Sequence, residues 1–193
     1  MRTTPLSHTT GPSTLSGPRI RPIAEGDWDG IAALEAEAYT PLGLSEGQDA
    51  LRSRARRSPG TCSVLTSEEG TVGYVLALPY PPFQCPDLTQ RESAAFSSRN
   101  LHLHDLVITK SCRGRGLARR LLRHLSAVAR SQGYERISLV AVGGSDTYWS
   151  ARGFQPHPEV PLPDGYGTDA LYMSTALSAA APPATALPER RRG

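Results

Sequence analysis

The run Asp105-Leu106-Val107-Ile108-Thr109-Lys110-Ser111-Cys112-Arg113-Gly114-Arg115-Gly116-Leu117-Ala118 decides how this chain is read. Apolar residues extend from Leu101 to Ile108 with partial alternation, as in a strand. From Leu117 they fall at Leu117, Leu121, Leu125 and Val128, one stripe of a helix. The period therefore changes inside a glycine-rich turn. Gly114 and Gly116 let the backbone turn sharply and approach a ligand closely. The first amides of the following helix lack an internal acceptor and carry the positive end of its dipole. Arg113, Gly114, Arg115, Gly116, Leu117 and Ala118 thus form a candidate anion site built from backbone.

Outside this stretch, composition narrows the choices. A chain of 193 residues, 38% hydrophobic and 20% charged, can bury one sizeable core. Its net charge of +3 is too small, and its arginines too little interleaved with aromatics, to argue for nucleic acid. Three cysteines without CxxC spacing suggest neither a disulfide framework nor a zinc ribbon. No apolar run approaches the roughly 20 residues needed to span a bilayer, and no signal peptide is visible, so a cytoplasmic location without a membrane partner is expected.

Residues 1–18 and 178–193 are rich in Ser, Thr, Pro, Gly and Ala and are expected to be disordered tails around one domain, 19–177. Within it, Arg19 to Ile23 reads as a strand, and Asp27 as the N-cap of a helix carrying Trp28, Ile31, Leu34 and Ala38. Ser45 and Gln48 have the spacing of a capping box for a second helix running towards Arg57. Thr61 to Thr66 and Thr71 to Leu78 predict a hairpin around Ser67-Glu68-Glu69-Gly70. The long stretch Pro79 to Asn100 is expected to be a binding loop, with Tyr80 to Phe83 bordering a pocket. Arg136 to Val142 predicts a buried strand, parallel to the first through the intervening helix. A short helix with Tyr148 and Trp149, then a strand within Thr168 to Ala176, complete the pattern.

Arg113-x-x-Gly116-x-Ala118 after an apolar strand resembles the pyrophosphate-binding motif of the GNAT superfamily of acyl-CoA-dependent N-acyltransferases. Tyr148-Trp149-Ser150-Ala151-Arg152-Gly153-Phe154 is similar to the family's aromatic-aromatic-x-x-x-Gly-Phe segment, and the order of elements from about 19 to 176 resembles the whole fold. The resemblance implies an α/β fold whose mixed, mostly antiparallel sheet splays between two parallel strands, with helices on both faces. It also implies acetyl-CoA as co-substrate. The pantetheine arm would enter the splay and pair with backbone at Leu106, Val107 and Ile108, and the turn Arg113 to Ala118 would hold the pyrophosphate.

Acyl transfer to an amine needs a base, because a lysine-like amine of pKa ~10.4 is below ~0.1% neutral at pH 7. It also needs an acid for the departing thiolate. His102 and His104, two apart on the central strand, would share a face beside the thioester. Asn100-Leu101-His102-Leu103-His104 looks like the corresponding strand of the arylalkylamine N-acetyltransferases, in which two histidines relay the amine's proton through water. Both are candidate catalytic residues; packed strand histidines and a His-x-His metal pair are the other readings, and no metal is expected. Asp105 alternates away from them and reads as structural. Trp149 stands where the family usually has its thiolate-protonating tyrosine; indole cannot do this, and Tyr148 is the candidate acid.

Lightly charged, proline-rich loops at Tyr39 to Leu44, Tyr80 to Cys85 and His157 to Tyr166 point to a small primary amine as acceptor. Transfer to a protein or peptide, and a non-catalytic acyl-CoA-binding regulatory module, are the alternatives. A homodimer is left open.

Overall fold

The computed structural model describes residues 17–177. The strands are β1 (Arg19–Pro22), β2 (Ser63–Ser67), β3 (Gly70–Pro79), β4 (Asn100–Ile108), β5 (Arg136–Ala141), β6 (Gln155–Pro156) and β7 (Leu171–Ala176). The helices are α1 (Trp28–Tyr39), α2 (Gln48–Arg57), α3 (Leu117–Ser131) and α4 (Asp146–Ser150). All seven strands form one sheet in the order β1-β2-β3-β4-β5-β7-β6. Each pairing is antiparallel except β4 with β5. The expected tails lie outside the described residues apart from Gly17 and Pro18, and the Pro18 carbonyl accepts from Arg120 Nη1 at 2.6 Å.

Both faces of the sheet are covered, as the alternation of its strands requires. On one side Trp28, Ile31 and Leu34 of α1 and Leu51 and Ala55 of α2 pack against Val64, Tyr74, Leu76 and Val107. On the other, the stripe Leu121, Leu122, Leu125 and Ala129 of α3 packs against Val75, Ala77, Leu101, Leu103 and Leu139. Gly73 lets β3 and β4 close up, since a Cβ there would fall 2.6 Å from Ile108 Cδ1 and 2.8 Å from the Val107 carbonyl.

Two helix starts differ from expectation. The Asp27 carboxylate turns away from α1, accepting from the Ala24 amide at 2.7 Å and pairing with Arg21 at 2.6 Å. The expected capping box at Ser45 is absent; Gly47, at φ 80°, precedes α2, and the Ser45 hydroxyl donates to Glu35 Oε2 at 2.7 Å. In both cases a nearby charged partner outcompetes the helix end for the side chain.

The central pair of strands sets the shape of the molecule. β4 and β5 pair only through Asn100, Leu101 and His102 with Arg136, Ile137 and Ser138, whereas β5 remains paired with β7 along its whole length. Beyond His102 the two strands part. A second irregularity lies two residues beyond His102. Leu76 pairs with Asp105 and its neighbour Ala77 with Leu103, so His104 is an extra residue without an opposite partner, a β-bulge.

Candidate functional site

The parted strands open into a cavity of about 790 Å³. Leu103, His104, Leu106, Val107 and Ile108 line it from β4, and Leu139 and Val140 from β5. One end is the glycine turn. Gly114 and Gly116 adopt φ of 77° and 74°, in the left-handed region. The first hydrogen bond closing α3 runs from the Arg120 amide to the Gly116 carbonyl, at 3.0 Å. The amides before it have no carbonyl inside the helix, and no acidic side chain occupies the first turn to neutralise the dipole. A Cβ added at Gly114 or Gly116 would meet no other atom within 4 Å, so the turn faces open space. Arg113 folds back over the strand end, its Nε donating to the Ile108 carbonyl at 3.1 Å. This geometry suits a diphosphate ester whose extended arm pairs with the strand edges left open by the splay. Of the nine residues expected to hold it, only Arg115 is not part of the lining.

The other end of the cavity is the histidine. The bulge carries His104 into the lining of the main cavity and also of a smaller one shared with Tyr39, Leu44, Glu46, Leu88, Asp105 and Tyr166. Its Nε2 lies 2.5 Å from Glu46 Oε1. His102 lines neither cavity. It is 1% exposed, with Nδ1 3.1 Å from Ser138 Oγ, and its ring centre is 6.4 Å from that of His104. Burial, reinforced by the neighbouring charges of His104 and Arg54, holds its imidazole well below the ordinary value and therefore neutral. The two histidines are brought together, but only one reaches the cavity.

The bulge also changes the place of Asp105. Strict alternation would send it away from the histidines; the inserted residue puts it on the face of Leu76, the face His102 shares through its pairing with Leu78. There the Tyr74 hydroxyl donates to Asp105 Oδ2 at 3.0 Å, and burial raises the carboxyl above its usual range. Tyr148 lines the main cavity, its ring 3.3 Å beneath the Arg152 guanidinium. Its hydroxyl is buried and makes no hydrogen bond among the described residues. Trp149 turns its ring onto Phe154, 5.3 Å between centres. Tyr80 to Phe83 do not border the cavity; Tyr80 packs on Phe96 and Phe83 on His157, and from that loop Leu88 faces the smaller cavity instead.

Sequence reasoning missed Glu46 and Arg54. The signal for Arg54 is its place on the buried stripe of α2 with Ala50, Leu51 and Ala55, where a lone arginine has to find a buried partner. For Glu46 the capping-box reading of its neighbours hid a carboxylate in an otherwise apolar loop.

A search of curated proteins finds no match. The model of the acetyltransferase (GNAT) family matches residues 28–153. Among solved structures, Ard1 from Thermoplasma volcanium superposes with a TM-score of 0.64 at 17% identity, over 84% of this chain and 99% of its own. A GNAT-like decarboxylase, GphF, in complex with isobutyryl-CoA superposes with a TM-score of 0.66 at 21% identity, over 82% of this chain and 99% of its own. N-acetylglutamate synthase from Neisseria gonorrhoeae, complexed with coenzyme A and N-acetyl-glutamate, matches at 0.61 and 19% identity, over 84% of this chain but 35% of the synthase. At such identities the likeness carries the fold. The family assignment comes from the sequence model, whose matched span contains the glycine turn, the bulged strand, the splay and the aromatic segment as far as Gly153: the chain belongs to the acetyltransferase (GNAT) family.

Proposed function

We propose that this protein transfers an acetyl group from acetyl-CoA directly to the primary amine of a small molecule. The observation that carries the reading is one cavity between β4 and β5 with a backbone anion turn at one end and a histidine on a strand bulge at the other. Acetyl-CoA, as substrate, supplies an activated acyl group in its thioester. The amides of Gly116, Leu117 and Ala118 bind the diphosphate, with Arg113 beside them. The open edge of β4 at Leu106, Val107 and Ile108 holds the extended arm and sets the thioester near the bulge. His104 takes the proton that keeps the amine from attacking. His102, held neutral one bulge away, supports a relay through water rather than meeting the amine first. Tyr148 is the acid of this reading for the departing sulfur, supported by its place in the cavity lining and by a hydroxyl with no hydrogen-bond partner among the described residues.

Leu44, Leu88 and the Tyr166 ring stand beside His104, a largely apolar surround that supports a small amine with an apolar body over a basic peptide tail. The test is release of coenzyme A from acetyl-CoA across aryl-alkyl amines, polyamines, amino acids and short peptides, with wild type and His104→Ala. Release stimulated by one class of small amine is expected, and His104→Ala should lower it about 100-fold or more, chiefly below the amine's pKa. Preference for peptides would redirect the reading to a protein acyltransferase. Saturable coenzyme binding without release would redirect it to a binding module, and an unchanged pH profile in His104→Ala would remove that residue from the chemistry.

A further inference from the structure

Glu46 has no part in the chemistry described so far, yet it is the hydrogen-bond partner of the His104 ring. The two side chains are 4% and 3% exposed. Glu46 Oε2 is taken by Arg54 Nη2, and Arg54, itself 1% exposed, also donates to the Asp87 carbonyl at 3.0 Å and faces Glu92 at 3.8 Å. From below, Glu35 accepts the Glu46 amide at 2.6 Å. Both oxygens and the backbone of Glu46 are therefore committed, and the carboxylate cannot turn away from the imidazole without uncovering a buried arginine.

An ionised carboxylate only accepts, so the ring nitrogen against it must carry the hydrogen. Burial alone would raise the Glu46 carboxyl, but the charges and hydrogen bonds of His104 and Arg54 outweigh it and hold the group below its usual range. With hydrogen on Nε2, the lone pair of the neutral ring sits on Nδ1. The remaining ionisable groups around the ring are Asp105 and His102 on β4, Tyr39 at the end of α1, Arg54 on α2 and Tyr166 in the loop before β7. Tyr74 of β3 adds to them through Asp105.

We propose that Glu46 is the positioning residue of this site, fixing His104 as its Nε2–H tautomer so that Nδ1 is the atom that takes the amine proton. The inference rests on the reading under Proposed function, in which His104 is the base. An ammonium N–H bond breaks and an Nδ1–H bond forms. The nitrogen lone pair makes the N–C bond while the C–S pair leaves on sulfur, the second amine proton balances the thiolate, and Nδ1 returns its proton to solvent. Glu46 remains ionised throughout and supports the imidazolium.

Glu46→Gln preserves size but offers an amide N–H to Nε2, favouring the opposite tautomer. It should lower kcat about 100-fold with KM for acetyl-CoA changed by no more than about twofold. The acidic limb of kcat against pH should move to lower pH, because the imidazolium loses its carboxylate, and Glu46→Asp should recover part of the rate. A folded Glu46→Gln with unchanged kcat and unchanged limb overturns the proposal. Because that variant also disturbs Arg54, a second measurement uses the wild-type chain: imidazole 15N NMR, with the His104 signals identified by their loss in His104→Gln. An Nε2–H tautomer is expected, and Nδ1–H overturns the assignment. A wild-type chain with no amine-stimulated release withdraws the base role on which the proposal stands, and the tautomer measurement separates that failure from a failure of the positioning.

Discussion

The two ends of the cavity are built in opposite ways. The turn end is six consecutive residues, Arg113 to Ala118, with two left-handed glycines and the free main-chain amides of a helix start. The histidine end is assembled from the bulge of β4, the approach to α2, the loop containing Asp87 and Leu88, and the loop containing Tyr166, and the groups it presents are side chains. A backbone site is carried by local conformation and tolerates many side chains at its edges. A side-chain site depends on segments far apart in the chain being tied together, here by Arg54 reaching Asp87 and by the Tyr166 hydroxyl donating to the Pro86 carbonyl at 2.8 Å. Damage should therefore look different at the two ends: lost coenzyme affinity at one, lost stability and lost rate at the other.

The sharpest way to break this contrast is Arg54→Met. It leaves Glu46 and Glu92 buried without their cation and cuts the ties between α2 and the long loop. Removing one partner of such a buried pair costs about 3–5 kcal/mol. Urea unfolding should register a loss of that order, while calorimetric affinity for acetyl-CoA in the folded fraction stays close to wild type. A loss under about 1 kcal/mol, the range of exposed ion pairs, would mean that the histidine end is not braced by this network. At the turn end, Gly116→Val places a β-branched residue at φ 74° and fills the space in front of the amides. Affinity for acetyl-CoA should fall about tenfold, or roughly 1.4 kcal/mol, with kcat at saturation retained. An equal fall in kcat with unaltered affinity would break the comparison from the other side.

The same contrast explains how much of each end is legible in the amino-acid sequence. The strand, glycine turn and helix of the turn end are a change of period in consecutive residues, so Gly116, Ala118 and the stripe from Leu117 were legible directly. The parallel pair was legible from the strand-helix-strand order, and its splay followed from the resemblance. At the histidine end His104 was legible as a residue, but its partner was not, because Glu46 lies 58 positions away and meets it only once α2 is docked. The bulge was also hidden. It inserts one residue against β3, and nothing in the alternation of Leu101, Leu103 and Asp105 announces it, so Asp105 was placed on the wrong face. Tyr80 to Phe83 were misplaced for a related reason: a proline-rich aromatic loop identifies surface chain, while what it covers is decided by Arg54 and Tyr166 from elsewhere.

The smallest effect should come from the apex where the two ends meet. His102 pairs with Ser138 as the last link before the strands part, and it is buried as a neutral ring. Its folded pKa lies well below the ordinary 6.5, chiefly through burial. Below that value the unfolded chain binds a proton that the folded chain refuses. Its contribution to stability is therefore fully present above pH 6.5 and is lost as pH falls towards the depressed folded value. For one such group the loss between about pH 6.5 and 5.5 is roughly 1 kcal/mol. Comparing urea unfolding of wild type and His102→Gln across this interval isolates the term from the other histidines, since glutamine keeps a polar contact for Ser138 and cannot titrate. The difference between the two proteins should narrow by about 1 kcal/mol as pH falls. If it stays constant, His102 is charged in the folded chain, and the junction between the two ends carries a second titrating imidazole rather than a fixed neutral neighbour for His104.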